Sequence, residues 1–117
     1  DTVRVIYPEI AMFDFNKADI KPDAKATLTS FSNVLKKYDR IDFIINGHTD
    51  NVGTDEVNRN LSQQRADNAK SLFVSNGVAE SRMQTNARGA SNPLETNDTE
   101  EGRQANRRVE MLLYERK

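Results

Sequence analysis

The chain has 117 residues, 17 basic and 18 acidic side chains, a formal charge of −1 and no cysteine. That length suits one domain, residues 1–117, burying about two-thirds of the surface its unfolded form exposes. The missing cysteines exclude a disulfide framework and a thiolate metal site, and the near-neutral balance argues against nucleic acid, which asks for a basic face. With 36% hydrophobic and 30% charged residues the composition is that of an ordinary folded domain. The apolar runs Phe43 to Ile45 and Met111 to Tyr114 are far too short to cross a bilayer, so any membrane attachment is expected from segments outside this chain. Asp1 is neither a methionine nor the start of a basic, apolar leader, which reads as an excised piece of a longer protein and leaves localisation open.

Val3, Val5 and Tyr7 alternate with Arg4 and Ile6 as in a strand, Pro8 interrupts, and Met12, Phe13 and Phe15 suggest a further extended apolar segment. Pro22 fits a first helical position, and Ala24, Leu28, Phe31, Leu35 and Tyr38 recur at spacings of a helix with one buried stripe. Ile41, Phe43 and Ile45 form a buried strand that Gly47 is expected to end. A helix from about Thr54 to Asn76 follows, with Asp55 and Glu56 in its first turn and Gly77 just past its end. Met83 to Arg88 reads as a short strand, the stretch holding Gly89, Asn92, Pro93 and Asn97 as a loop, and Val109 to Tyr114 as a last strand. Strands alternating with amphipathic helices predict an α/β sandwich, helices packed on one sheet, undivided by linker or repeat.

Asp50 stands on the loop beyond the strand, and Arg65 follows Leu61 by four residues and Asn58 by seven, so these three side chains share one helical stripe. An acid on a loop and a base on the next helix suit a small zwitterion. Arginine can grip a carboxylate through two parallel hydrogen bonds, Asp50 can take an ammonium, and backbone N–H groups after Asp50 and in the helix's first turn stand as further donors. On residue types alone, a structural ion pair is the stronger reading of Asp50 and Arg65. His48, the only histidine, lacks the neighbouring nucleophile or ligands that catalysis or a metal would need, and Asp50, Asn51, Asp55 and Glu56 lack calcium-loop spacing. No enzyme activity, cofactor or metal is expected. Adjacent strand residues point to opposite faces, so of Arg107 and Arg108 one is expected to face the pocket and the other to brace the fold.

Phe13-Asp14-Phe15-Asn16 with Ile20, then Gly47-His48-Thr49-Asp50-Asn51-Val52-Gly53, Asn58, Leu61-Ser62-x-x-Arg65-Ala66 and Gly102-Arg103-x-x-Asn106-Arg107-Arg108-Val109-Glu110 resemble the OmpA-like peptidoglycan-binding domain. These blocks run in order over nearly the whole chain. The resemblance implies a mixed sheet of about four strands with two main helices on one face. It also implies a periplasmic domain that tethers a Gram-negative outer-membrane protein to peptidoglycan through the diaminopimelate of a stem peptide. By resemblance Asp50 and Arg65 grip that residue, while Asp14, Thr49, Asn58, Leu61 and Arg107 match positions that line or shape the pocket. Ala87 departs from the pattern, which often has glycine there, and the loop from Ala90 to Thr99 is individual. The rival readings are an envelope docking or homodimerisation module with a vestigial pocket, and a hydrolase built on His48 and Asp50.

Overall fold

The structure is a computed structural model that describes residues 2–117. In chain order it forms β1 (Thr2–Pro8), α1 (Glu9–Met12), α2 (Pro22–Lys37), β2 (Ile41–His48) and α3 (Asp55–Ser75). A 3-10 turn (Glu80–Arg82), β3 (Met83–Gly89), α4 (Glu100–Asn106) and β4 (Arg108–Glu115) complete it. The four strands make one sheet in the order β1-β4-β2-β3. β4 lies antiparallel to both β1 and β2, and β2 runs parallel to β3, the pair that α3 connects.

Local chemistry accounts for most of these limits. Pro22 opens α2 with Asp23 in its first turn, and Lys36 and Lys37 occupy its last, each charge favourably placed on the helix dipole. Thr54 caps α3, its hydroxyl accepting the Val57 N–H at 3.1 Å. Gly77 follows the C-cap of α3 with φ 97°, a conformation that glycine adopts without penalty. Phe43 and Ile45 of β2, Val109 and Met111 of β4, Leu28 and Leu35 of α2 and Phe73 of α3 are fully buried in one core. Phe73 meets Phe43 edge to face at 5.5 Å and Phe31 at 6.2 Å. Burial of each large side chain contributes roughly 1.5–3 kcal/mol.

Four expectations are corrected. Gly47 does not end its strand: β2 continues through His48, and a Cβ at Gly47 would stand 2.2 Å from the Ser62 carbonyl oxygen. The glycine is there so that α3 can lie directly on the sheet. Residues 12–15 do not run on as an extended segment. After Pro8 the chain makes the single turn α1, and Phe13 pairs only with Ile20 in an isolated bridge. The stretch between Gly89 and the last strand contains α4, capped by the Thr99 hydroxyl, which accepts the Gly102 N–H at 3.0 Å. Tyr38 leaves the α2 stripe, since as C-cap it has turned out of the helix and is 57% exposed. No helix is long and apolar enough to cross a membrane among the described residues.

Candidate functional site

Beyond the carboxyl end of β2 a cavity of about 540 Å³ opens between the loop Thr49–Gly53, the first turns of α3, α1 and α4. Thr49, Asp50, Asn58, Leu61, Arg65 and Arg107 all line it, together with Glu9, Phe15, Asn16, Val52, Gly53, Val57, Glu100 and Arg103. The stripe Asn58, Leu61, Arg65 does face the loop, because the contact at Gly47 seats α3 against β2.

Within the cavity the charges pair differently from the sequence reading. Asp50 is held by Arg107, Nη1 to Oδ2 at 2.7 Å, and not by Arg65. Arg65 donates from Nη1 to Glu9 Oε2 at 2.7 Å and from Nε to the Lys17 carbonyl at 2.9 Å, and its guanidinium lies 4.6 Å from the Phe13 ring centroid. Glu9 joins the two halves, its other oxygen accepting Arg107 Nε at 3.1 Å, while Arg107 Nη2 reaches Glu100 at 2.8 Å. The result is a chain of alternating charge, Asp50–Arg107–Glu9–Arg65, with the exposed Glu100 branching from Arg107. Burial alone would lower the Arg107 pKa, but hydrogen bonds to Glu100 and Asp50 and the charge of Glu9 outweigh it, so the guanidinium is held charged. Conversely, the hydrogen bond from Arg107 pulls the Glu100 carboxyl below its ordinary value.

The neutral residues fix the loop. Asn58 Nδ2 donates to the Asp50 carbonyl at 3.3 Å and the Thr49 hydroxyl to the same oxygen at 2.9 Å. The backbone donors expected to be free are partly used: Val52 N–H turns back onto Asp50 Oδ1 at 3.0 Å, and Val57 N–H is taken by Thr54. Asp14 is a correction. Its side chain is 79% exposed and points to Lys21 at 3.7 Å, so its carboxylate lies outside the cavity. Asp14 acts instead through its backbone, where its carbonyl accepts Arg65 Nη2 at 3.4 Å.

Glu9, Glu100 and Arg103 were missed as cavity residues. Glu100, Arg103 and Arg107 stand three and four residues apart, a helical spacing that could have revealed α4 and its cavity-facing side. No local pattern marks Glu9, which depends on the turn after Pro8.

On the opposite face, Arg108 binds Glu110, Nε to Oε2 at 2.8 Å, and Arg4 binds the other oxygen of the same carboxylate. His48 Nε2 lies 3.2 Å from Glu110 Oε2. Burial, with the Arg108 charge beside it, lowers the His48 pKa from 6.5 to about 4. Arg107 and Arg108 thus divide as expected, one into the cavity and one into a brace, although Arg107 sits at the C-cap of α4 rather than within the strand. His48 does not line the cavity that holds Asp50. No cluster of three or more His, Cys, Asp or Glu side chains is placed to hold a metal among the described residues.

The OmpA family pattern matches residues 12–107. The probable lipoprotein YiaD of Escherichia coli is 40% identical over 97% of this chain and 52% of its own length. The cell wall anchor of the T6SS from Pseudomonas aeruginosa superposes with a TM-score of 0.86 at 28% identity, over 98% of this chain and 82% of that one. The peptidoglycan-associated lipoprotein from Burkholderia pseudomallei gives a TM-score of 0.81 at 27% identity, over 89% and 88%. This chain therefore spans about half the length of a curated relative such as YiaD. With cavity, motif blocks and fold in agreement across most of its length, the chain belongs to the OmpA family.

Proposed function

We propose that residues 1–117 form one non-catalytic domain that anchors its parent protein to the cell wall by binding peptidoglycan, with the diaminopimelate head group of a stem peptide seated in the cavity. The observation that carries this reading is the cavity's alternating charge: two arginines and two carboxylates stand within hydrogen-bond reach of one another around a space large enough for an amino-acid head group. A centre bearing a carboxylate and an ammonium on one carbon can exchange with such pairs without leaving net charge behind. The similar proteins include one called peptidoglycan-associated and one called a cell wall anchor, which favours the same ligand here. Lipoprotein and outer-membrane relatives favour a periplasmic location, tethered to the outer membrane through parts of the protein outside this chain.

Asp50, Arg65, Arg107, Thr49, Asn58 and Leu61 are the binding residues in this reading, with Asp50 and Arg65 as the principal charges. Net gains of roughly 1.5–3 kcal/mol per charge-assisted hydrogen bond, set against an association cost of at least about 4 kcal/mol, place one site in the micromolar to millimolar range. Many repeated sites near a tethered domain raise the effective concentration enough for retention. The separation of His48 from the cavity supports binding rather than hydrolysis, because a His48–Asp50 dyad has no shared space for substrate.

The test is a calorimetric or NMR titration with a stem peptide containing diaminopimelate and with its lysine counterpart, which lacks the extra carboxylate. Saturable binding of the first and little of the second is expected, with Asp50→Ala and Arg65→Ala each abolishing cell-wall pull-down while circular dichroism is unchanged. Equal binding of both peptides, or retained pull-down in both variants, would replace this reading with a protein-docking module.

A further inference from the structure

We propose that Glu9 determines the specificity of the cavity: it keeps Arg65 and Arg107 from any anion that does not bring its own cation. This rests on the zwitterion reading above and adds to it a residue outside the motif blocks. Glu9 has one carboxylate oxygen on each arginine, at 2.7 Å from Arg65 Nη1 and 3.1 Å from Arg107 Nε. It therefore occupies the place that a ligand carboxylate needs. Arg65 has no idle nitrogen, since Nε is on the Lys17 carbonyl and Nη2 on that of Asp14, and its side chain is only 2% exposed. A ligand carboxylate reaches these donors by displacing Glu9.

The backbone of Glu9 need not move for that exchange. Its N–H donates to the Arg107 carbonyl at 2.9 Å, so the start of α1 is tied to the residue whose side chain it also holds, and only the Glu9 side chain has to turn. Once displaced, a carboxylate only 13% exposed is left without its cations, which is costly. A ligand carboxylate alone leaves the network one negative charge in excess. A ligand with an ammonium on the same carbon places a cation between Glu9 and Asp50, and the cluster is neutral again. Glu9 thus makes entry conditional on both charges arriving together.

The probes are meso-diaminopimelate and pimelate, the same seven-carbon dicarboxylate without amino groups, titrated into the wild-type chain and Glu9→Gln by NMR. Wild type is expected to prefer diaminopimelate by at least about tenfold. In Glu9→Gln pimelate binding rises and the preference shrinks by about tenfold, the change for one net charge-assisted hydrogen bond. In wild type alone, the Glu9 side-chain carboxyl carbon is expected to shift with diaminopimelate and stay in place with pimelate, a readout that needs no variant to fold. An unchanged preference in Glu9→Gln, or equal weakening of both ligands, overturns the filter. If wild type binds the stem peptide and the two preferences are equal, Glu9 alone is wrong. If the preferences differ as expected and no stem peptide binds, the filter stands and the cell-wall reading falls. If neither ligand perturbs either protein, both fall.

Discussion

Two charge clusters flank the end of the sheet, and they use the same chemistry for opposite purposes. On the outer face Arg108, Glu110 and His48 have side chains 2%, 7% and 5% exposed, with Arg4 closing over the same carboxylate. In the cavity Arg107, Glu9 and Asp50 are 17%, 13% and 10% exposed, Arg65 is 2% exposed, and Glu100, which branches from Arg107, is 62% exposed. The first cluster gathers around one carboxylate that serves both arginines. In the second, Arg107 and Glu9 each have more than one ionic partner and line the cavity, so a ligand that brings both charges can take the place of a pair without leaving a charge unmatched. The number of carboxylates that share an arginine, three on Arg107 against one on Arg108, separates the binding site from the brace.

The comparison breaks most visibly at Glu110. Glu110→Ala leaves Arg108 buried without its counter-ion and is expected to cost about 3–5 kcal/mol, read as a lower urea midpoint, with ligand affinity retained in the folded fraction. A loss under about 1 kcal/mol would show that the outer cluster is no brace.

Next in size is the pH response of His48. Its folded-state pKa of about 4 lies below the ordinary 6.5, so the unfolded chain takes up the proton first as pH falls. The stability of the neutral, buried imidazole is complete above pH 6.5 and drains away between 6.5 and 4, by roughly 2–3 kcal/mol. His48→Gln is expected to flatten that slope in a series of denaturation curves. A slope equal in both proteins would place the titration elsewhere.

The cavity cluster is expected to tolerate more. Asp50→Ala leaves Arg107 with Glu9 and Glu100, so stability falls by about 1 kcal/mol while ligand binding is lost. A stability loss as large as that of Glu110→Ala would erase the distinction between the clusters. Smallest is Glu100→Ala, which removes the exposed pair with Arg103 at 3.2 Å on one face of α4 and one of the three carboxylates on Arg107. Its melting curve is expected to lie closer to wild type than that of Asp50→Ala, and a larger loss would mean that these exposed pairs hold α4 in place.

Much of the architecture could be read along the chain because its causes are local. The β2 alternation, the α2 stripe behind Pro22, the acids in the first turn of α3 and Gly77 at its end are short-range statements of burial, capping and backbone freedom. The errors fall where a local sign had a distant cause. Gly47 looked like a strand terminator, but its missing side chain answers to Ser62 on another element. The run from Ala90 to Thr99 is the loop its turn residues indicate, but no helix is expected after it, although Glu100, Arg103 and Arg107 stand at helical spacing. Glu9 had no signal at all.

The sequence by itself determined the periodicities that make strands and helices, and it placed Asp50 after a strand and Arg65 on the helix stripe that faces it. Only the tertiary structure decided which charges meet. Arg107 finds Asp50 across 57 positions and Glu9 across 98, and Arg65 finds Glu9 across 56. Pairing at such separations follows from how α1, α3 and α4 converge at the end of the sheet. Coulomb attraction is blind to sequence distance, and packing alone chooses among several arginines and several carboxylates.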